Sequence, residues 1–517
     1  MRNKLFKTIR ARRPKRNVFD LSHERKMSIN MGDLVPILCQ EVVPGDTFRN
    51  NSEIFLRLAP MLAPIMHRVN VYTHFFFVPN RLVYQDWEKF ITGGVDGQQV
   101  APVPLLNPFI HNISAAKGSL PDYLGIPPFN NTIDLSFSVL PFRAYQKIYN
   151  EYYRDQNLQP ELPINTSGVV NDFDKSGALT LRRRAWEKDY FTSALPWAQR
   201  GGSVLLPIQG DAPVLANPGP TIFSQEGSTV FGNVDARFVT SGSEGYLSVE
   251  PTGSSGGLHL QDGQLRADLS GATSTTINEL RRSIRLQEWL EKNARAGSRY
   301  IEQILSHFGV KSSDARLQRP EFLGGGKSPV VISEVLQTSS SDESSPQGNM
   351  SGHGVAVGNT HSFKKFFEEH GYVIGIMSVL PRTAYEQGVP RHFLKYDKFD
   401  YYWPSFAHLG EQAIQMSELY VRSNGAQNKE TFGYTPRYAE YKYALSSVHG
   451  DFRDNLSFWH MGRKFLSAPS LNSSFVSSDP THRIFAVEDT NIHKLYVQIF
   501  NNLRAIRPMP QYGTPTI

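Results

Sequence analysis

Four stretches of this 517-residue chain place chemistry-bearing residues at spacings that sites use, and each stops short of a working set. Gly324-Gly325-Gly326-Lys327-Ser328 ends like a phosphate-binding loop, but the first glycine of that pattern falls on Glu321, and Pro329 stands where a helix must begin. The stretch reads as a flexible turn. Asp172-Phe173-Asp174-Lys175-Ser176-Gly177 opens like a calcium loop, yet its twelfth position is Arg183 rather than a bidentate Glu. His23-Glu24 lacks the second His of a zinc helix, because residue 27 is Met27. Tyr149 and Tyr153 have the spacing used by rolling-circle nucleases, but no His-x-His metal pair accompanies them. They read as an aromatic stripe on one helix face. No catalytic set, cofactor site or metal site is expected.

The N-terminus is different. Arg2, Lys4, Lys7, Arg10, Arg12, Arg13, Lys15 and Arg16 place eight basic residues and no acid within sixteen positions. The whole chain is +6, so everything after this arm is −2. Spaced Arg and Lys on a flexible segment bind phosphates without sequence preference, because each contact releases counterions. The competing reading is a solvated tail that aids solubility.

The elements that carry these residues are strand-dominated. Forty Gly, 33 Pro and 12% aromatics favour an all-β scaffold with many turns and large apolar plugs. Val69, Val71, Thr73, Phe75 and Phe77 alternate along a strand over 67–78. A strand-like pattern from Met27 to Val43 ends at Pro44-Gly45-Asp46, and Tyr372–Leu380 and Leu495–Leu503 add strands near the far end. Helices are predicted over 81–91, 141–157, 276–297 (opened by a Thr276/Glu279 capping box) and 299–308. Residues 338–360 are Ser/Gly-rich and read as a surface loop. Residues 209–275 form a compositional island with 11 Gly, 15 Ser/Thr and a net charge of −5. Short alternating segments flank Asp262-Gly263, a favoured hairpin turn. The resulting organisation is a disordered arm over 1–18, a core built from 19–208 and 276–517, and a projecting insertion over 209–275.

Cys39 is the sole cysteine, which rules out an intrachain disulfide and suits assembly in a reducing cytoplasm. No apolar segment follows the basic arm as a secretory signal would require, and Tyr372–Leu380 is too short to span a bilayer. No membrane partner is expected.

Long strings of the sequence resemble the major capsid protein of the Microviridae, in its gokushovirus-like branch. They include "FDLSHERKMSINMGDLVPILCQEVVPGDTF", "LAPIMHRVNVYTHFFFVPNRLVYQDWEKFITGG", "LPFRAYQKIYNEYYRDQNL", "LRRRAWEKDYFTSALPWAQRGG" and "FWHMGRKF". The resemblance covers about residues 17–517, and over 209–275 it holds only in position and character. It implies a mainly β fold: an eight-stranded antiparallel jelly-roll sandwich with long inter-strand insertions and several helices. It also implies sixty copies in an icosahedral T=1 virion around circular single-stranded DNA, pentamer-like intermediates and a separate small basic DNA-packaging protein. The insertion would then cluster at threefold axes and meet a host cell-surface receptor, and assembly would occur in the host bacterial cytoplasm. The alternative from another class is a non-capsid DNA-binding or packaging protein.

Overall fold

Strict alternation of buried and half-exposed residues runs through the longest strands of the computed structural model. The structure describes residues 15–95, 98–202, 204, 277–297, 299–336, 350–487, 489 and 491–512, with six short strands between 214 and 267. The chain forms two compact units, residues 1–200 with 291–517, and residues 201–290.

Ten strands make the two large sheets of the first unit: β1 (Asn17–Asp20), β2 (His23–Ile29), β3 (Val35–Val42), β4 (Thr47–Leu58), β5 (Val69–Pro79), β6 (Glu321–Pro329), β7 (Val331–Leu336), β8 (Met350–Phe366), β9 (Gly371–Pro381) and β10 (Leu495–Arg507). One antiparallel sheet has the order β1-β10-β4-β8-β7, with β2 also paired to β10. The other has the order β6-β5-β9-β3. β4 buries Phe48, Ile54, Leu56 and Leu58 on one face, while β10 buries Leu495, Val497, Ile499 and Leu503. These side chains meet Val69, Val71, Phe75 and Phe77 of β5 in one apolar core. The alternation predicted for residues 69–77 is therefore real.

A second core lies on the opposite face of the β6-β5-β9-β3 sheet. There Phe76 and Val78 of β5 and Ile374 and Ile376 of β9 pack against Phe142, Tyr145 and Ile148. That double burial explains why β5 and β9 are apolar on both faces. The covering helix, α2 (Leu140–Ile148), has Pro141 in its first turn and runs into a π-helical turn over Tyr149–Tyr153. Even with that turn the helical segment ends at Tyr153, short of the predicted residue 157. The other long helical segments are α1 (Trp87–Thr92), shorter than the predicted 81–91 segment and closed by left-handed Gly93, α3 (Ile277–Ala296) and α4 (Tyr300–Phe308). Thr276, the predicted capping residue, lies outside the described residues.

Four expectations need correction. The strand expected from Met27 to Val43 is two strands, because Gly32 turns the chain with φ +87°. Asn17 and Val18, placed in the disordered arm, belong to β1 and pair with Arg507 and Ile506 of β10. Residues 350–360 belong to β8, paired to β7 and β4, and not to a loop. The Gly324–Ser328 stretch is strand β6 and not a flexible turn. Its glycines serve close approach: a Cβ on Gly325 would sit 2.3 Å from the Thr73 carbonyl oxygen.

The second unit contains three nested antiparallel pairs: 214–216 with 265–267, 223–225 with 258–260, and 236–241 with 244–249. Leu258–Leu260 and Leu265–Ala267, expected to pair with each other, instead pair outward to earlier strands. The two outer pairs take one strand from each arm of the insertion. Asp262-Gly263 lies outside the described residues.

Candidate nucleic-acid interface

The basic arm is the site named by sequence. Arg2, Lys4, Lys7, Arg10, Arg12 and Arg13 lie outside the described residues. Lys15 and Arg16 are exposed, and the Arg16 guanidinium sits 5.3 Å from the Phe366 ring centre, at the end of β8.

The folded body adds a second cationic feature. A cleft of about 1150 Å³ opens where β5, β6, the π-turn after α2, and the residues around α4 converge. Nine basic and four acidic side chains line it, a formal excess of five positive charges. Four of the cations face carboxylates of the cleft: Lys188 with Asp155, Lys327 with Glu187, Arg319 with Asp314, and Arg299 with Glu302. Arg184, Lys311 and Arg382 line the cleft with no such ion pair among the described residues.

Local chemistry holds these groups in place. The Arg184 guanidinium lies 4.1 Å above the Tyr72 ring and donates to Ser378 Oγ at 3.0 Å. Lys327 covers the same ring at 5.0 Å. The Tyr72 hydroxyl donates a short bond to Glu187. Burial works against the Glu187 carboxylate, but the Tyr72 hydroxyl and Lys327 outweigh it and hold its pKa below the usual range. Burial raises the Tyr72 pKa, with the bond to Glu187 adding to it. Aromatic faces interleave with the cations: Arg319 stacks 4.5 Å from the Tyr152 ring, and Phe322 is 48% exposed. Such a mixture suits phosphates and stacked bases together.

The rejected motifs have structural jobs. Tyr153 is buried and its hydroxyl bonds His74 Nδ1 at 2.8 Å, while Tyr149 bonds Gln159 at 3.3 Å. Both pack in the second core, as the aromatic-stripe reading expects. Asp174 is fully buried and carries a two-pronged ion pair to Arg143 at 2.9 and 2.7 Å. His23 and Glu24 lie on β2. Among the described residues no helix is long and apolar enough to cross a membrane.

Sequence reasoning missed the cleft because its cations come from residues 154 to 382 and no local window contains more than a few. The one usable signal is the run "LRRRAWEKDY", which supplies Arg184, Glu187 and Lys188.

Comparison with known proteins fixes the family. The model of the phage capsid protein (F protein) matches residues 7–517. Capsid protein VP1 of Chlamydia phage 1 is 38% identical, with 97% of this chain and 95% of that protein covered. Capsid protein VP1 of Bdellovibrio phage phiMH2K is 39% identical over the same shares, and that of Spiroplasma virus 4 is 32% identical. These relatives are structural proteins, which accords with the failure of every catalytic motif. The chain belongs to the phage capsid protein (F protein) family, as a major capsid protein of the gokushovirus-like branch of the Microviridae.

Proposed function

We propose that this chain is the repeating subunit of a sixty-copy icosahedral shell that encloses a circular single-stranded DNA genome. Family membership across residues 7–517 carries this reading. The strand order supports it. Taking β2, β3, β4, β5, β6, β8, β9 and β10 as first to eighth, one sheet holds the first, eighth, third and sixth strands, and the other the second, seventh, fourth and fifth. That interleave is the order expected of an eight-stranded jelly roll, a double-sheet solution to capsid building, and it supports that reading. The links between the fourth and fifth strands and between the seventh and eighth swell into the two large insertions.

The arm and the cationic cleft supply phosphate contacts, shared in this reading with a small basic packaging protein. Purified chain, alone or with a scaffolding partner, is expected to sediment as pentamer-like species and closed particles in the virion. A stable monomer under all these conditions would leave the non-capsid DNA-binding reading as the better one. Assembly in the host bacterial cytoplasm fits the single Cys39.

The acidic insertion over 209–275 faces outward in this proposal and meets a host cell-surface receptor, since its −5 charge disfavours contact with packaged DNA. Its outermost strand pair joins Val214 to Ala267, so the two arms of the insertion run side by side there. Replacing residues 211–273 with a short Gly/Ser linker is therefore expected to leave particle assembly intact and abolish adsorption to cells. Normal adsorption by such particles would refute the receptor role.

A further inference from the structure

The link between β9 and β10 carries an exposed aromatic surface that neither the arm nor the cleft uses. Phe393 is 68% exposed, Tyr396 74%, Tyr401 54%, Tyr402 51%, Trp403 51% and Tyr441 54%. At roughly 200 Å² per ring side chain, these six present about 700 Å² of aromatic area to solvent. The largest apolar patch on a typical monomer is about 300–600 Å². The summed exposure of these six rings along one link is at least of that size, with Tyr401, Tyr402 and Tyr441 gathered around Lys395.

The rings are uncovered but firmly seated. Trp403 Nε1 donates to the Lys398 carbonyl at 2.9 Å, and the backbone N–H of Tyr402 donates to the Tyr441 hydroxyl at 3.3 Å. The Lys395 side chain, 5% exposed, lies beneath the rings. Its ammonium is 4.0 Å from the Tyr441 ring centre and 5.1 Å from that of Tyr401, and it donates to the Tyr441 hydroxyl at 2.5 Å. Asp400 accepts from the backbone N–H groups of Tyr396 and Asp397 at 2.9 and 3.0 Å, which closes the turn. Rings already held in place lose little freedom when a partner covers them.

We propose that this surface is covered by a second copy of this chain in the assembled shell. The proposal rests on the shell-subunit reading and names one contact within it. Area supports the occupant: a standard interface takes about 800 Å² from each partner, and its centre is enriched in Tyr and Trp. Charge supports it too. Residues 390–409 hold Arg391, Lys395 and Lys398 against Asp397 and Asp400, and Lys395 is further offset by Glu440 at 3.8 Å. Arg391 is committed to Glu418 at 2.7 Å. No cationic excess remains to attract a polynucleotide, in contrast to the cleft.

The test uses the full-length chain and a Y396A/W403A variant. Neither side chain is buried, so the variant's circular dichroism is expected to match the parent's, with its thermal melt lowered only by the lost Trp403–Lys398 bond. Its association constant is expected to fall at least about 30-fold, read as a higher protein concentration for particle formation. Hydroxyl-radical labelling of Tyr396 and Trp403 is expected to be strong in dissociated subunits and suppressed in particles. Assembly at unchanged concentration, or equal labelling in both states, overturns the proposal. Quenching of Trp403 fluorescence by oligothymidylate, with the rings still labelled in empty particles, overturns it in favour of nucleic acid. Should the parent form no shells, the shell reading fails by itself. The contact then stands if the double substitution abolishes smaller oligomers, and falls if the parent stays monomeric.

Discussion

The two cores on either side of the β6-β5-β9-β3 sheet are built by different means. Between the sheets, packing is almost wholly apolar: Phe75 meets Phe363 at 5.1 Å and Phe77 meets Phe367 at 4.7 Å between ring centres. The main polar exception is a buried string. Asn50 donates to Ser52, Ser52 to Asn501, and Asn501 to the Ile37 carbonyl on the opposite sheet. The outer core mixes aromatics with committed polar groups. Tyr145 donates to the Leu34 carbonyl at 2.7 Å, Gln146 to Ala178 and Thr180, and Arg143 is closed on Asp174. Regular strands satisfy their own backbones, so the space between the sheets needs only volume. The insertions run irregularly, and their buried carbonyls must find side-chain donors.

The sharpest way to break that contrast is at Asp174. Arg143 and Asp174 are both fully buried, and Arg143 also donates to the Val83 and Ser167 carbonyls at 3.2 and 2.8 Å. Asp174→Ala strands a buried guanidinium and releases Asn165 and the Asn171 amide as well. A loss of about 5 kcal/mol is expected in urea unfolding of the subunit. Arg143→Met with Asp174→Leu removes both charges and is expected to recover at least about 2 kcal/mol of it. If the double variant is no better than the single one, the carbonyl bonds and not the charge pair hold this core.

In the inter-sheet core the corresponding cut is Phe75→Ala. Phe75 is fully buried among Phe363, Ile37 and other apolar neighbours, so the cost is cavity and lost transfer energy, about 3–4 kcal/mol. Phe75→Leu is expected to recover most of it, which a shape-indifferent apolar core allows. No comparable rescue is expected for Arg143→Lys, which loses the two-pronged geometry. The same urea series measures all of these.

That asymmetry also explains what the sequence disclosed. Residues 69–77 and 495–503 announce themselves because period-two alternation is a local property, and the strands lie where the pattern places them. Pro141, Gly297 and Gly309 mark helix ends through backbone chemistry alone. The triple glycine at 324–326 misleads for a physical reason: glycine signals either a turn or a close approach, and only the neighbouring strand decides. The calcium-like opening at Asp172, set aside because of Arg183, holds in Asp174 an ion pair whose partner lies 31 residues away and which no local pattern announces. The cleft needs residues from five segments at once, so no window announces it. The arm needs only itself.

Protonation offers a finer comparison, between two loops that join strands. Burial raises the Asp33 pKa to about 6, although Arg183 at 3.5 Å opposes the shift. Burial lowers the His67 pKa to about 4, although its Nε2–H donation to the Arg382 carbonyl opposes that shift. Asp33 binds its proton more tightly in the folded state, so its contribution falls as pH rises from about 4 to 6. His67 binds its proton more weakly when folded, so its contribution is lost as pH falls from about 6.5 to 4. The slopes oppose each other in one window and partly cancel. Asp33→Asn is expected to stabilise the subunit at pH 7 by about 1–2 kcal/mol and to steepen the acid loss. His67→Gln is expected to flatten that loss. Urea midpoints between about pH 4 and 7 decide the matter, and parallel curves for the two variants would contradict both assignments.

The smallest effect on stability is expected at the arm, which shares nothing with either core. Lys15 and Arg16 are exposed, and the single described contact is Arg16 over Phe366, worth about 0.5–1 kcal/mol at most in such a setting. Deleting residues 2–16 should therefore shift the urea midpoint by less than about 1 kcal/mol, because pairing of β1 with β10 begins at Asn17. Its effect on single-stranded DNA is expected to be large. Each phosphate contact adds about 0.7 to the slope of log affinity against log salt, so losing up to eight lowers it by roughly 5–6. Arg184→Ala with Arg382→Ala in the cleft removes two candidate contacts and is expected to lower it by only about 1.4. The salt slope thus separates arm from cleft where bare affinity would not. A truncated chain that keeps the full slope would move the DNA contact from the arm into the folded body, and the +5 excess of the cleft would become its principal seat.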